Sequence, residues 1–230
     1  MIGRETVFLA VAASLFASAV AAQQPDFVAR GNEPGWIVRM NDTGLTFQTM
    51  DGDPVTIAPP PVAETVDGVK IYKSTADGQS FQLAVADELC MDSMTGMPHP
   101  ATVSVEVGER QFQGCGGEPA TLLHGEWTVA QVDGKPTVAG SEVSLTFEAG
   151  GHLSGAASCN RYFAEFTLTG EGLTISDAGA TMMMCDRPLM DQERLFLAIL
   201  EAVTRFEVGA DGSLILHADD GRTLTASRNG

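Results

Sequence analysis

The sequence predicts a mainly β protein of the α+β class, with two small antiparallel, barrel-like domains and one amphipathic helix packed on the second sheet. Short segments alternate apolar and polar residues and are separated by turn residues, as half-buried strands do. One later segment instead has apolar residues at helical spacing. The length of 230 residues allows two domains, at about 150 residues or fewer per domain.

The first half contains five alternating segments, with turn residues such as Asn41-Asp42 and Asp67-Gly68 between them. We expect these strands to form an antiparallel meander. They are Trp36–Met40, Leu45–Thr49, Val69–Ser74, Phe81–Ala86 and Thr102–Val107.

The second half repeats the pattern and adds the helix. Its predicted strands are Trp127–Val132, Val143–Phe147, Leu153–Ala157, Phe163–Leu168, Leu173–Ile175, Phe206–Val208, Leu214–Leu216 and Thr223–Ala226. The helix is predicted over Pro188–Thr204, and Pro188 suits its first turn. We expect its apolar stripe to cover the sheet.

Residues 1–22 are typical of a signal peptide. Arg4 precedes an apolar stretch that begins at Val7, and small residues follow it up to Ala22. We expect cleavage near Ala21 or Ala22 and a mature protein in the bacterial periplasm or secreted. The apolar stretch is too short to span a bilayer, which needs roughly 20 residues, so we expect no transmembrane segment in the mature chain.

The net charge of −17, with 13 basic residues, argues against nucleic acid as a partner, because binding it requires clustered Lys and Arg. Excess negative charge also keeps a secreted protein dispersed without implying any ligand. We therefore expect a monomer.

Four cysteines, Cys90, Cys115, Cys159 and Cys185, are expected to form disulfides in an oxidising compartment. Three pairings are possible. The sequential pairing, which we favour, closes two loops of about 25 residues, each contributing roughly 3 to 4 kcal/mol in the chain-entropy model. A zinc site is disfavoured because the closely spaced Cys pairs that it needs are missing.

The second half resembles the META domain (HslJ-like) family. The residues that carry the likeness are Leu123-x-Gly125-x-Trp127, Gly155-Ala156-Ala157-Ser158-Cys159-Asn160-Arg161-Tyr162, Thr181-Met182-Met183-Met184-Cys185 and Gln192-Glu193-x-x-Phe196. One departure is Ser158, where the family pattern usually has Gly. The resemblance implies a small β-barrel-like fold with one helix, a place in the cell envelope, and an association with stress or antibiotic tolerance without an established catalytic mechanism.

The first half resembles a poorly characterised family of bacterial envelope proteins and lipoproteins that are often joined to META domains. The residues that carry this likeness are Gly31-Asn32-Glu33-Pro34-Gly35-Trp36, Cys90-x-Asp92-x-Met94-x-Gly96 and Gly114-Cys115-Gly116-Gly117. We therefore predict a signal peptide over 1–22, an N-terminal β domain over 23–118 and a META domain over 119–230.

The usual catalytic signatures are missing from the sequence, including G-x-S-x-G, H-E-x-x-H and the P-loop. The four histidines are far apart along the chain. We predict no catalytic residues and a protein that is not an enzyme.

The sharpest chemical pattern is Met91-x-x-Met94-x-x-Met97-x-His99, because thioether and imidazole ligands suit Cu(I). The alternative is that Met94 packs in the core, while Met91 and Met97 flank the disulfide as gap fillers. We expect no cofactor, with copper as the alternative.

Three further features have two interpretations each. Met182-Met183-Met184 is expected to pack in the core, with an adaptable binding surface as the alternative. Asn160 and Arg161 are candidate contacts for a partner. We favour structural roles, with Asn160 bonded to turn backbone and Arg161 paired with an acid such as Glu193. Trp36 is also a candidate contact, although a core position is favoured.

The leading hypothesis is a non-catalytic envelope protein that binds an unknown envelope protein or small ligand. The alternatives are a copper-binding protein and a binder of small hydrophobic ligands inside a β-barrel.

Overall fold

The computed structural model describes residues 27–76 and 78–228. The predicted signal peptide and its cleavage site lie outside the described residues. Within them, the helices are too short or too polar to cross a membrane.

The first domain is built on a nine-stranded antiparallel sheet that curves into a half-barrel. Its order is β4-β3-β2-β1-β11-β10-β7-β6-β5. The nine strands are β1 (Phe27–Asn32), β2 (Gly35–Met40), β3 (Leu45–Thr49), β4 (Val55–Ile57), β5 (Ala63–Val66), β6 (Val69–Ala76), β7 (Gln79–Ala86), β10 (Ala101–Val107) and β11 (Arg110–Gly116). A separate small hairpin joins β8 (Cys90–Met91) to β9 (Pro98–His99).

Alternation along the strands places one face of this sheet in the core. In β10, Ala101, Val103, Val105 and Val107 are buried and the residues between them are not. The ring of Phe47 is the centre of the aromatic core and contacts the rings of Trp36, Phe81 and Phe112, at centroid distances of 6.1, 6.2 and 5.1 Å. The interior of the half-barrel is therefore filled by side chains.

The second domain is a sheet that closes almost completely into a barrel. Its main order is β17-β16-β15-β14-β12-β21-β20-β19, with β13 beside β12 and β18 beside β16. The strands are β12 (Gly125–Val132), β13 (Lys135–Pro136), β14 (Glu142–Phe147), β15 (His152–Ser158), β16 (Arg161–Thr169), β17 (Gly172–Ile175), β18 (Gly179–Ala180), β19 (Val203–Val208), β20 (Leu214–Ala218) and β21 (Thr223–Arg228). The end strands β17 and β19 approach closely at Gly172, where a Cβ would lie 2.4 Å from the carbonyl oxygen of Thr204.

One long helix covers the second sheet. Helix α2 (Arg187–Leu200) has Pro188 in its first turn and buries Phe196, Ile199 and Leu200. The sequence predicted that this helix would continue to Thr204, but Val203 already begins β19. The predicted fold class is confirmed, with two β-barrel-like domains and one amphipathic helix packed on the second.

A short connection joins the domains. The first sheet ends at Gly116, and a single helical turn, α1 (Ala120–Leu123), precedes β12. Leu123 is fully buried, and its carbonyl accepts a hydrogen bond from the Trp127 indole at 2.7 Å. Met97 of the first domain is 8% exposed and belongs to the hydrophobic core of the second. The two domains therefore share a packed contact.

Candidate functional site

A cleft of about 340 Å³ lies at the junction of the two domains. Strand β1 contributes Val28, Arg30 and Asn32 to its wall. The loop between β8 and β9 contributes Asp92, Met94, Thr95 and Met97. The β16–β17 hairpin of the second domain closes it with residues 168–170. We call this cavity the interdomain cleft.

The loop of the cleft is shaped by Asp92. Its Oδ1 accepts hydrogen bonds from the backbone amides of Met94 (3.0 Å) and Thr95 (2.8 Å) and from the Thr95 hydroxyl (2.9 Å). Its Oδ2 accepts one from the side-chain amide of Asn32 on β1 (3.2 Å). Gly96, at φ +69°, completes the turn with a bond from its amide to the Asp92 carbonyl at 2.8 Å.

These hydrogen bonds favour the charged form of the Asp92 side chain. Partial burial disfavours the carboxylate, but the hydrogen bonds from Thr95, Asn32 and Met94 outweigh it and lower the pKa of Asp92 below its ordinary 3.8. The spacing Cys90-x-Asp92-x-Met94-x-Gly96 thus encodes an Asp-centred turn beside a disulfide. The carboxylate of Asp92 accepts hydrogen bonds from the loop itself and from Asn32 on β1.

The predicted copper ligands are divided by the fold. Met94, Met97 and His99 line the interdomain cleft, whereas Met91 lies in a neighbouring cavity beside Cys90 and Ser93. Met94 is 79% exposed, so the alternative in which it packs in the core is wrong, while Met97 is buried against the second domain. The cleft therefore gathers three of the four residues.

The tautomer of His99 follows from its hydrogen bond. Its Nδ1 lies 3.0 Å from the carbonyl oxygen of Gly117. Because a carbonyl only accepts, Nδ1 carries the hydrogen, and Nε2 of the neutral ring keeps its lone pair. In this tautomer, Nε2 is the ring nitrogen that can accept a hydrogen bond or bind a soft metal.

Both disulfides of the sequential pairing are present. Cys90 is bonded to Cys115 and Cys159 to Cys185, with Cα–Cα distances of 5.4 and 5.9 Å. The first bond ties the cleft loop to β11, and the second ties the end of β15 to the segment before α2. Each disulfide thus fixes a loop that carries motif residues.

Asn160 has a structural role in the second domain. It is 5% exposed, and its Oδ1 accepts bonds from the Thr181 hydroxyl (2.8 Å) and the Met183 amide (2.7 Å). Its Nδ2 donates to Glu193 Oε1 (2.9 Å) and its backbone amide to Glu193 Oε2 (2.7 Å). Asn160 is therefore a buried connector and not a surface contact.

The expected pairing of Arg161 with Glu193 is wrong. The Glu193 carboxylate is occupied by Asn160 and by the amide of Cys159 at 3.2 Å. Arg161 is exposed and lines a separate polar cavity of about 350 Å³ with Glu126 and Glu142. Its guanidinium remains open to solvent in this structure.

Gln192 has a structural role that its motif did not predict. Its Oε1 accepts from the Val138 amide at 2.6 Å, and its Nε2 donates to the hydroxyls of Ser141 and Ser158, both at 3.0 Å. Ser158 has φ +95°, which explains why the family pattern usually has Gly there. The Gln192-Glu193 pair thus joins the helix to two loops.

The core packing expected for Met182-Met183-Met184 is also wrong. These side chains are 98%, 59% and 90% exposed. Trp36, by contrast, is 5% exposed, and its indole donates to the Gln113 carbonyl at 3.1 Å. Its core position is confirmed, so its ring is not open to a partner.

Residues 120–230 match the family model described as the META domain. The second domain is a META domain. The resemblance of residues 26–118 to a second envelope family stays a prediction.

Two solved structures are similar to part of the chain. An NMR structure of a protein from Burkholderia xenovorans is 27% identical, covers 48% of this chain and 86% of its own, and has a TM-score of 0.40. A second NMR structure is 26% identical, covers 48% of this chain and 94% of its own, and also has a TM-score of 0.40. No curated protein is significantly similar to the chain.

Proposed function

We propose that this chain is a non-catalytic binding protein of the bacterial cell envelope, linked to tolerance of stress or antibiotics, and that the interdomain cleft binds a small ligand. The META domain supports the envelope and stress association. The two disulfides support an oxidising compartment. The observation that carries the proposal is that both domains contribute walls to one cleft.

The lining of the cleft is suited to a ligand with polar and apolar parts. Val28, Met97 and Leu168 supply apolar surface, while Arg30 and Asn32 supply donors. Among the described residues, Arg30 forms no ion pair that would occupy its guanidinium. The volume of about 340 Å³ matches a small molecule.

A ligand inside either barrel has less support. The first interior is filled by Phe47 and its three aromatic neighbours, and the second by the buried residues of the sheet and α2. Such close packing leaves the ligand-sized space at the surface of the domains.

The test is native mass spectrometry of the full chain after incubation with an envelope extract of its host. Thr169→Trp places a large ring in the hairpin wall of the cleft, and Thr167→Trp places the same ring at an exposed position on the same strand outside it. We expect a bound small molecule on the wild type and Thr167→Trp, and its loss from Thr169→Trp. A ligand that Thr169→Trp retains would contradict the proposal.

The stress association has a separate test in the host. Deletion of the gene should lower survival after heat or antibiotic exposure, and the wild type and Thr167→Trp should restore it. Restoration by Thr169→Trp would show that the cleft is not needed for tolerance.

Copper binding is a second candidate, favoured by the grouping of Met94, Met97 and His99 in the cleft and by the hydrogen bond that directs His99 Nδ1 to the Gly117 carbonyl. Anaerobic titration against a Cu(I) chelator measures it. Met94→Leu and His99→Gln should each weaken Cu(I) affinity at least about tenfold. Substitution of residues that only orient metal ligands already weakens metal affinity by this much. Met184→Leu, an exposed thioether elsewhere, is the matched control. Equal affinity in all variants would contradict the site.

A further inference from the structure

An unusual share of the methionines is exposed. Of the nine methionines among the described residues, six have side chains open to solvent, although methionine is usually buried. Three of the six, Met182, Met183 and Met184, are consecutive, and Met182 and Met184 are 98% and 90% exposed. We call these three residues the methionine segment.

The methionine segment is held in place by its backbone. Just before it, the amide of Thr181 donates to the Arg161 carbonyl at 3.0 Å. Within it, the Met183 amide donates to Asn160 Oδ1 at 2.7 Å, and Cys185, just after it, is in a disulfide. The side chains of Met182 and Met184 therefore face solvent from a fixed frame.

Thioethers are the accessible reducing sulfur of this protein. All four cysteines of the chain are in disulfides, so they offer no thiol to an oxidant. A thioether reacts with two-electron oxidants according to its exposure. The methionine segment combines three such groups at one place.

We propose that the methionine segment is an oxidation site, at which hydroperoxides convert Met182 and Met184 to methionine sulfoxide. The sulfur lone pair attacks one peroxide oxygen, an S–O bond forms and the O–O bond breaks. The peroxide is reduced by two electrons and leaves, after proton transfer, as water from hydrogen peroxide or as the alcohol from an organic hydroperoxide, while the methionine is oxidised by two electrons. A thiol-dependent methionine sulfoxide reductase reverses the step, releasing the oxygen as water and forming a disulfide on the reductase.

The fold tolerates oxidation at this site. The bonds that hold the segment use the backbone of Met183 and the side chains of Asn160 and Thr181, none of which involves a methionine sulfur. Met97 differs from the methionine segment, because its side chain is buried against the core of the second domain. A polar sulfoxide there would disrupt packing. The exposed segment consequently takes up oxidant without loss of structure.

The experiment is a time course of the full chain with hydrogen peroxide, followed by peptide mass spectrometry and melting temperature. Met182 and Met184 should be oxidised at least about tenfold faster than Met97, with the melting temperature unchanged within about 2 °C. Added methionine sulfoxide reductase and thiol should return the peptide to its original mass. Equal oxidation rates at Met184 and Met97, or a melting temperature that falls as the segment is oxidised, would overturn the proposal.

Substitution provides an independent measurement. The double variant Met182→Leu/Met184→Leu should consume less peroxide than the wild type, whereas Met190→Leu, a partly buried helix residue, should not differ. Unchanged consumption in the double variant would also overturn the proposal. None of these variants changes a residue of the interdomain cleft. The oxidation experiment therefore does not depend on whether the cleft binds a ligand.

Discussion

Glu193 receives two hydrogen bonds from Asn160, one from the side-chain amide at 2.9 Å and one from the backbone amide at 2.7 Å. This pair connects helix α2 to the turn at the end of β15. Through Asn160 Oδ1 it also holds the segment that contains Met183. Helix, strand and loop are thus joined by one carboxylate and one amide.

We expect Glu193→Gln to destabilise the second domain by about 2 kcal/mol. The change turns one acceptor into an NH₂ donor that faces N–H groups, leaving a part-buried donor without a partner. Urea unfolding followed by tryptophan fluorescence measures the free energy. Glu165→Gln, at an exposed position on β16, is the matched control and should change it by less than about 0.5 kcal/mol. A neutral result for Glu193→Gln would show that the pair adds little stability.

Substitution of Ser158 measures the free-energy cost of its backbone conformation. At φ +95° a residue with a Cβ is strained, and Gly is not. Ser158→Gly and Ser158→Ala both lose the hydroxyl that Gln192 contacts, so their difference isolates the backbone. We expect the Gly variant to be more stable by about 1 kcal/mol in the same urea measurement. Equal stabilities would mean that the turn relaxes around the added carbon.

Asp92 makes the stability of the folded protein depend on pH. Its pKa is lower in the folded protein than its ordinary 3.8, so its contribution to stability is present above the unfolded pKa and is lost as pH falls through the folded pKa. We expect Asp92→Asn to melt below the wild type at pH 7, and the difference in melting temperature to narrow as the pH falls below the ordinary carboxyl value of 3.8. Calorimetry at pH 7 and at a series of lower pH values measures this difference. A difference of the same size at every pH would contradict the contribution of the charge.

Met97 tests the contact between the domains. Truncation of a buried methionine leaves a cavity and typically costs about 2 to 5 kcal/mol. Because Met97 lies in the core of the second domain, Met97→Ala should lower the unfolding temperature of that domain. Met94→Ala, at a side chain that is 79% exposed three residues earlier, should have little effect. Equal unfolding temperatures for Met97→Ala and Met94→Ala would show that the contact between the domains contributes little stability.

The strands that the sequence predicted are those with clear alternation, and all of them are present. The missed strands include β1 and β11, which pair at the centre of the first sheet. These strands contain Gly31 and Gly114, which break the apolar pattern. The structure supplies the reason, since a Cβ at either glycine would lie 2.3 or 2.7 Å from atoms of the Trp36 ring. The glycines make room for the Trp36 ring, which lies on the strand next to Gly31 and far along the chain from Gly114. Periodicity does not reveal this requirement.

The errors around the second disulfide have a common physical cause. Asn160 and Glu193 satisfy each other, so Glu193 is not free for Arg161. The Met183 backbone is bound to Asn160, which turns the flanking side chains outward in spite of their apolar character. Both outcomes depend on hydrogen bonds between residues more than 20 positions apart. Local pattern does not encode them, although the motif positions of Asn160 and Glu193 were a usable signal.

The packing of Met97 has a consequence for how the two domains could be separated or exchanged. The second domain obtains one of its interior side chains from outside its own sequence. A version of residues 120–230 produced alone would have a methionine-sized hole, or would need a local substitution to fill it. Joining the second domain to a different partner would therefore leave this part of its core unfilled unless another side chain took the place of Met97.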